Sequence, residues 1–404
     1  MTTFIQFHLL TSYPPANLNR DDLGRPKTAV MGGAQRLRIS SQSLKRAWRT
    51  SALFEEALSG HVGVRTKEIG TKVVESILTG RSLADILWKG DSTEKAPSGI
   101  SEGNAKKWAW AIASVFVDKA GGGEETEESD EDTENNKGTK GKEPQKKKQK
   151  KSNVDRDTLK SEQLVFYSVE EIEAIDKLIK TLIKEKREPR QDELGALLTK
   201  HHRTADLALF GRMLAGSPDH NGDAAVQVAH AITVHKVAVE DDYFTAVDDL
   251  NKGDQDMGAG HIGETEFAAG LFYLYACIDR DLLVKNLKGD EDLACKTLRA
   301  LTECAATIAP NGKQNSFASR AYASYILAEK GNRQPRTLSV AFLKPVNGAD
   351  MLSDAIVALN AARDNIDKVY GKVSEASYAL NAVTGQGSLM ELLDFASKPL
   401  GQKK

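Results

Sequence analysis

The sequence predicts an α+β fold, built on a ferredoxin-like βαββαβ core interrupted by one helical and one loop-rich insertion. Three observations predict it. Strand-like and helix-like runs follow one another as strand, helix, several strands, helix and final strand. The stretch from about residue 60 to 200 has helical periodicity almost throughout. A polar, glycine-bearing excursion separates two apolar strand-like runs near residue 250. Such a core is common among RNA-recognition modules.

Phe4 to Leu10 opens the chain as an apolar run in which Ile5, Phe7 and Leu9 alternate with Gln6, His8 and Leu10, the pattern of a first strand with at least one buried face. A loop rich in Pro and Asn follows. Gln35 to Ile39 alternates again and places Arg36 and Arg38 on one side of an extended segment, Leu37 and Ile39 on the other. Ser40 or Ser41 can cap the next helix, because a hydroxyl oxygen can accept from a first-turn amide, and Leu44, Ala47 and Trp48 supply that helix with its apolar face.

Lys72 to Leu78, Lys107 to Phe116 and Ile172 to Ile183 carry apolar residues three and four apart and mark a helical insertion over 60–202. Within it, residues 121–151 run from glycines through eight acidic residues to a segment with eight lysines, and a disordered loop is expected there. After Arg203 the apolar, β-branched and aromatic runs Ala205 to Leu214, Ala224 to Val239, Phe267 to Ile278 and Arg336 to Leu343 are expected to be strands, the second being long for one strand. Glu240 to Gly263, with its Asp-Asp pairs and glycines, reads as a protruding excursion that carries Tyr243-Phe244-Thr245. Asp292 to Ile308 holds Leu293, Leu298, Leu301, Cys304 and Ile308 in helical phase, and Pro310-Asn311-Gly312 stops it.

Composition narrows the function classes. The 404 residues allow two or three domains, or one with large insertions. Lys plus Arg (55) and Asp plus Glu (57) leave a formal net charge of −2, so any basic surface must be local. Met1 to Phe7 lacks the basic flank and apolar core of a signal peptide, and no apolar stretch is long enough to span a bilayer; a soluble, cytoplasmic protein without membrane contact is expected. Cys277, Cys295 and Cys304 form no CxxC pair and suit a reducing compartment as buried thiols. The histidines give no metal-ligand spacing: His201 and His202 are adjacent, and His230 and His235 share neither a helix face nor a strand face. No P-loop is present. No metal or cofactor is expected.

The local basic surface lies between Asn19 and Arg49, where Arg20, Arg25, Lys27, Arg36, Arg38, Lys45, Arg46 and Arg49 surround one loop, strand and helix start. Lys45 and Arg49, four apart, share a helix face. A phosphate near Ser41 and Gln42 would meet the helix N-terminus, polar donors and these cations together. The alternative is a solvated helix face and strand edge, the usual fate of Lys and Arg.

The strings Leu18-Asn19-Arg20-Asp21-Asp22 and Arg38-Ile39-Ser40-Ser41-Gln42-Ser43-Leu44-Lys45-Arg46-Ala47 resemble the N-terminal signature of the CasC family, the guide-RNA-binding backbone subunits of type I-E CRISPR Cascade complexes in the RAMP superfamily. Gly211-Arg212-Met213, Val228 to His235, Phe244 to Asp249 and His261-Ile262-Gly263 resemble a second block of that family in the same order. Residues 60–200 depart from the family's pattern, and the acidic-then-lysine loop has no counterpart in it.

The resemblance implies a hand-like chain. Residues 1–59, 203–239 and 264–404, the last with C-terminal helices, would form an RRM-like palm, residues 60–202 helical fingers, and residues 240–263 a β-rich thumb. Copies would stack head to tail along a CRISPR guide RNA, with the large, small, guide-end-binding and guide-processing Cascade subunits as partners and a target DNA strand as the object of antiviral defence. Arg20, Lys27, Ser40, Gln42, Lys45 and Arg49 would hold the guide's sugar-phosphate backbone, with Arg36, Arg38, Ser41 and Arg46 in the same cationic segment, leaving base edges free to pair. Met213, Phe244 and Thr245 would press on the guide–target duplex and displace bases at intervals; without the resemblance, Met213 and Phe244 read as core side chains. Related backbone subunits of RNA-targeting complexes cut bound RNA with a loop aspartate, which would point to Asp21 or Asp22 as a metal-holding carboxylate. The resemblance is to the DNA-targeting class, where a separate helicase-nuclease cuts, and these aspartates can instead pair with Arg20 or cap a turn. A non-catalytic scaffold is the expectation, with a metal-dependent endoribonuclease as the alternative.

Overall fold

The computed structural model describes residues 2–88, 98–117, 159–161, 163–200, 202–214, 216–246 and 261–400. The segment 121–151 and the middle of the excursion, 247–260, lie outside the described residues.

In chain order the elements are β1 (Phe4–Ala16), β2 (Thr28–Met31), β3 (Ala34–Ile39), α1 (Ser41–Arg49), α2 (Ala52–Ala57), β4 (Val64–Thr66), α3 (Ile69–Thr79), α4 (Leu83–Trp88), α5 (Glu102–Ala113), β5 (Val165–Tyr167), α6 (Val169–Glu185), α7 (Gln191–Gly195) and α8 (Ala205–Phe210). There follow β6 (Val226–Val228), β7 (Ala231–Thr233), β8 (Glu240–Ala246), β9 (His261–Asp279), α9 (Arg280–Asn286), α10 (Glu291–Thr307), α11 (Gln314–Phe317), β10 (Tyr325–Gly331), α12 (Met351–Tyr370), β11 (Ala376–Asn381) and α13 (Leu389–Ser397). The chain divides into a first unit, Met1–Val62, Ala208–Gly211 and Asp223–Lys404, and a second, Gly63–Leu207 and Arg212–Gly222.

The first unit is built on an antiparallel sheet ordered β11-β10-β1-β9-β7-β3-β2, with β6 and β8 also pairing with β9. Strand β1 is central: Leu9 lies opposite Leu274 of β9 and Ile326 of β10. Both of its faces are covered, with Gln6 and His8 buried as fully as Ile5 and Leu9. The buried polar side chains are satisfied by one another. His8 Nδ1 meets Tyr273 Oη at 2.9 Å and its Nε2 meets Glu329 Oε2 at 3.2 Å, while Arg336 donates to Glu329 Oε2 at 2.5 Å. Burial pushes the Glu329 carboxyl up, but the hydrogen bonds from His8 and Arg336 outweigh it and hold it at about 2. Burial pulls His8 down, so the imidazole is neutral.

On the sheet, Leu10, Tyr273, Leu327, Leu338, Phe342 and Leu359 form a core with α12. Helix α10 carries the packing of α2 and α13 and begins on the side chain of Asp290, which accepts from the Leu293 amide at 3.0 Å. Cys277 and Cys304 are buried and Cys295 is half-buried, all as free thiols. In the second unit, Ile69, Val73, Ile77, Trp108, Ile112, Ile172, Ile175 and Ile179 form the core of α3, α5 and α6 beside the β4–β5 pair. A reciprocal cap between Ser168 and Glu171 starts α6. Among the described residues no helix is long and apolar enough to cross a membrane.

Two strand expectations are corrected. Ala205 to Leu214 is not a strand: Ala205–Phe210 is helix α8, with Asp206 in its first turn and Gly211 at φ 75° beyond its end. A short apolar run of Ala and Leu fits either periodicity, and its helix formers and flanking glycine decide the outcome. Arg336 to Leu343 is not the final core strand either. Ser339–Phe342 is a 3-10 turn that buries Phe342, and Arg336 is committed to Glu329 and Asp367. The strand beside β1 is instead β10, whose Glu329 and Lys330 disguise a segment that is buried along its length. Ala224 to Val239 holds two short strands, β6 and β7, broken at Ala229 and His230.

Candidate nucleic-acid interface

The loop after β1 is held by its own side chains. Asn17 is fully buried, and its amide donates to the carbonyls of Gly24 and Glu266, each at 2.9 Å. Asp21 Oδ1 accepts from the amides of Leu23 (3.0 Å) and Arg25 (2.8 Å), an Asx-type turn. The Lys27 amide donates back to Asn19 at 2.8 Å, closing the loop under Arg20, which is exposed.

Helix α1 starts where this loop meets β3. Ser40 is the N-cap, its Oγ accepting from the Ser43 amide at 3.3 Å, and its own amide donates to Asn19 Oδ1 at 2.8 Å. The Ser41 amide donates to His230 Nδ1 at 3.2 Å. The first turn of α1 carries no acidic residue, so its partial positive charge is uncompensated there, and Arg46 and Arg49 lie in its last turn. Leu44, Ala47 and Trp48 are buried as the periodicity predicts.

A cleft of about 540 Å³ opens beside this junction, lined among others by Arg20, Asp21, Ser43, Arg46, Thr50 and Asn311. Arg20 and Arg46, from loop and helix, face one space. The 310–312 segment approaches so closely that a Cβ on Gly312 would lie 2.2 Å from the Leu18 carbonyl oxygen. Two guanidinium groups, hydroxyls and a side-chain amide around one polar cleft are suited to a phosphodiester, for which Arg supplies a planar fork and the neutral groups add directed donors.

The other sequence candidates fall into groups. Lys27, Arg38, Ser41, Lys45 and Arg49 are half-buried, Gln42 is exposed, and Lys45 and Arg49 follow one another by a turn along α1. Arg36 is corrected. It is fully buried, and its guanidinium donates to the carbonyls of Thr233 (3.0 Å) and Phe342 (2.9 Å), so it ties β3 to the sheet and to the 339–342 turn. Strand alternation places Arg36 and Arg38 on the same side, but only at Arg38 is that side open. Phe244 and Thr245 lie on strand β8 rather than in a loop, and the Phe244 ring covers Gly263 of β9, where a Cβ would come within 2.4 Å of it. Met213, in the second unit, is 78% exposed and is not a core side chain.

Sequence reasoning missed Asn17, Asn19, His230, Thr50 and Asn311. A Pro-Asn-Gly stop after α10 was legible, but that it returns to the first loop depends on contacts across some 290 residues, which no local pattern encodes.

The fold is similar over its whole length to that of a chain from a structure described as "CRISPR RNA-guided surveillance complex, pre-nicking", with 27% identity, a TM-score of 0.72, and 98% of this chain and 99% of that chain covered. A second, from a "CRISPR RNA-guided surveillance complex", is 22% identical with a TM-score of 0.64 over 98% and 99% of the two chains, a likeness of fold alone. The chain belongs to the CT1975-like protein family, whose model matches residues 5–398. No curated protein matches it. These findings agree with the resemblance to Cascade backbone subunits read from the sequence.

Proposed function

We propose that the chain is a non-catalytic backbone subunit of a Cascade-type complex, polymerising along a CRISPR guide RNA and presenting its bases to a target DNA strand. The observation that carries this reading is the convergence of Arg20, Arg46, Ser43, Thr50 and Asn311 on one cleft beside the N-terminus of α1. Contacts of that kind go to phosphate and sugar, so they load a guide regardless of its sequence. The antiparallel order β10-β1-β9-β7, with α1 and α10 between its strands in the chain, supports reading the first unit as a ferredoxin-like palm. The second unit would be the fingers, and the β8–β9 extension the thumb. Phe244 and Thr245 there, with Met213, would press on the guide–target duplex. Other copies of the chain and the remaining Cascade subunits would be its partners.

Asp21, the natural candidate for a metal-holding carboxylate, spends Oδ1 on two backbone amides of its own turn. The scaffold reading is therefore tested together with the nuclease reading. The chain is co-expressed with a CRISPR array and its neighbouring genes, and gel filtration is followed by RNA analysis. A discrete guide-length RNA is expected to co-elute, and Asp21→Ala with Asp22→Ala is expected to leave a bound complementary strand intact, as the unsubstituted chain does. Cleavage of complementary RNA that these substitutions abolish would replace the scaffold with an endoribonuclease.

A further inference from the structure

Met213 is exposed between two buried neighbours, Arg212 at 6% and Leu214 at 2% exposure. Both flanks are fixed. The amide of Arg212 donates to the Gly222 carbonyl and the amide of Gly222 to the Arg212 carbonyl, each at 3.0 Å, while the Leu214 amide donates to Asn221 Oδ1 at 2.5 Å. These bonds tie the two ends of the 212–222 stretch together, and Met213 projects beside them.

Beneath Met213 lies a buried ionic centre. Arg212 Nη1 donates to Glu171 Oε2 at 2.6 Å and to the Phe166 carbonyl at 3.2 Å. Its Nη2 meets the carbonyls of Thr199 (3.2 Å) and His220 (3.1 Å) and His202 Nε2 (3.2 Å). Because a guanidinium only donates, His202 Nε2 accepts, and Nδ1–H donates to Thr199 Oγ1 at 2.9 Å. One guanidinium therefore joins β5, the start of α6, the 199–202 segment and the far side of the Met213 loop. Desolvating an ion pair this fully adds little net stability over apolar packing of the same volume, whereas the directions of its bonds fix geometry.

We propose that Arg212 is a positioning residue, whose buried pair with Glu171 and bonds to the loop hold Met213 projecting at a fixed height, preorganised to wedge against a nucleobase stack. This rests on the proposed reading of Met213 as a duplex contact. Preorganisation matters because an apolar wedge must offset the cost of unstacking with contact alone, and ordering a mobile loop on binding would consume that contact energy.

The test uses the assembled complex with 2-aminopurine walked through the target strand, read as fluorescence per guide-loaded complex, alongside amide exchange of residues 210–224 in the full chain. Met213→Ala is expected to quench the bright positions without changing exchange. Arg212→Lys keeps the charge but loses the fork. It is expected to dim those positions toward the Met213→Ala level and to speed exchange about tenfold, as for loss of a hydrogen bond's worth of local stability. Glu171→Gln, which removes the charge of the pair but keeps an oxygen to accept from Arg212, keeps the test decisive should Arg212→Lys not fold. Dimming by Met213→Ala but by neither of the others, with exchange unchanged, overturns the positioning role and leaves the duplex contact standing. Bright positions that survive Met213→Ala overturn the duplex contact, while exchange still decides whether Arg212 holds the loop.

Discussion

Arg36 is the cation of the basic segment that holds the sheet together rather than facing solvent. Replacing it with Met fills much of the volume but leaves the Thr233 and Phe342 carbonyls without their donors. Hydrogen bonds to a charged donor contribute about 1.5–3 kcal/mol each, so losing two, partly offset by the released desolvation of the guanidinium, costs about 3 kcal/mol. For a unit of this size that lowers the melting temperature by roughly 6–12 °C. The RNA-binding consequence runs the other way. Each phosphate contact to a single strand contributes about 0.7 to the slope of log affinity against log salt. Arg20→Ala and Arg46→Ala are expected to flatten that slope by about this much each with the melting temperature nearly unchanged, whereas Arg36→Met leaves the slope alone. Scanning calorimetry and filter binding across a salt series make the comparison. A thermally unaltered Arg36→Met chain with a reduced salt slope would refute the assignment.

Substituting Lys45 and Arg49 together is expected to weaken guide binding equally across unrelated guide sequences, checked with a panel of guides at fixed salt, since backbone contacts carry no base information. Acid is expected to destabilise the first unit in two stages. His8 and Glu329 both have native values below their ordinary ones, so the unfolded chain binds more protons; stability is full above about 6.5 and falls first as unfolded His8 takes up its proton, then below about 4.5 as Glu329 does. Denaturant titrations from pH 7 to 4 check this, and His8→Gln, which keeps a donor for Glu329 and removes the first titration, is expected to flatten the upper stage. At the β2–β3 turn, Gly32 (φ 59°) and Gly33 (φ 72°) both take left-handed backbone, but a Cβ on Gly32 would lie 1.7 Å from the Leu343 carbonyl oxygen while one on Gly33 meets nothing. Gly33→Ala is expected to cost about 1–2 kcal/mol from backbone strain alone and Gly32→Ala clearly more, read by urea denaturation.

Local chemistry made much of the fold legible in the sequence. Ser40, one of the two serines offered as the cap, starts α1, the three-and-four spacing marked α3, α5, α6 and α10, and alternation marked β1 and β3, because caps and periodicities act between residues a turn or less apart. The cationic segment was legible for the same reason, and Gly32-Gly33 held the signal for the unrecognised strand β2. Tertiary structure alone decided which cations face solvent. Arg36 and Arg38 are equivalent by alternation, yet the carbonyls of Thr233 and Phe342, some 200 and 300 residues away in sequence, claim the first and leave the second near the surface. It also decided that Glu329 and His8 are core residues, since a carboxylate can be buried only where donors reach it, here His8 from β1 and Arg336 from the segment beyond β10. The cleft depends on the meeting of residues 18–21, 43–50 and 311–312, which is a property of the closed sheet and its helices and of no segment by itself.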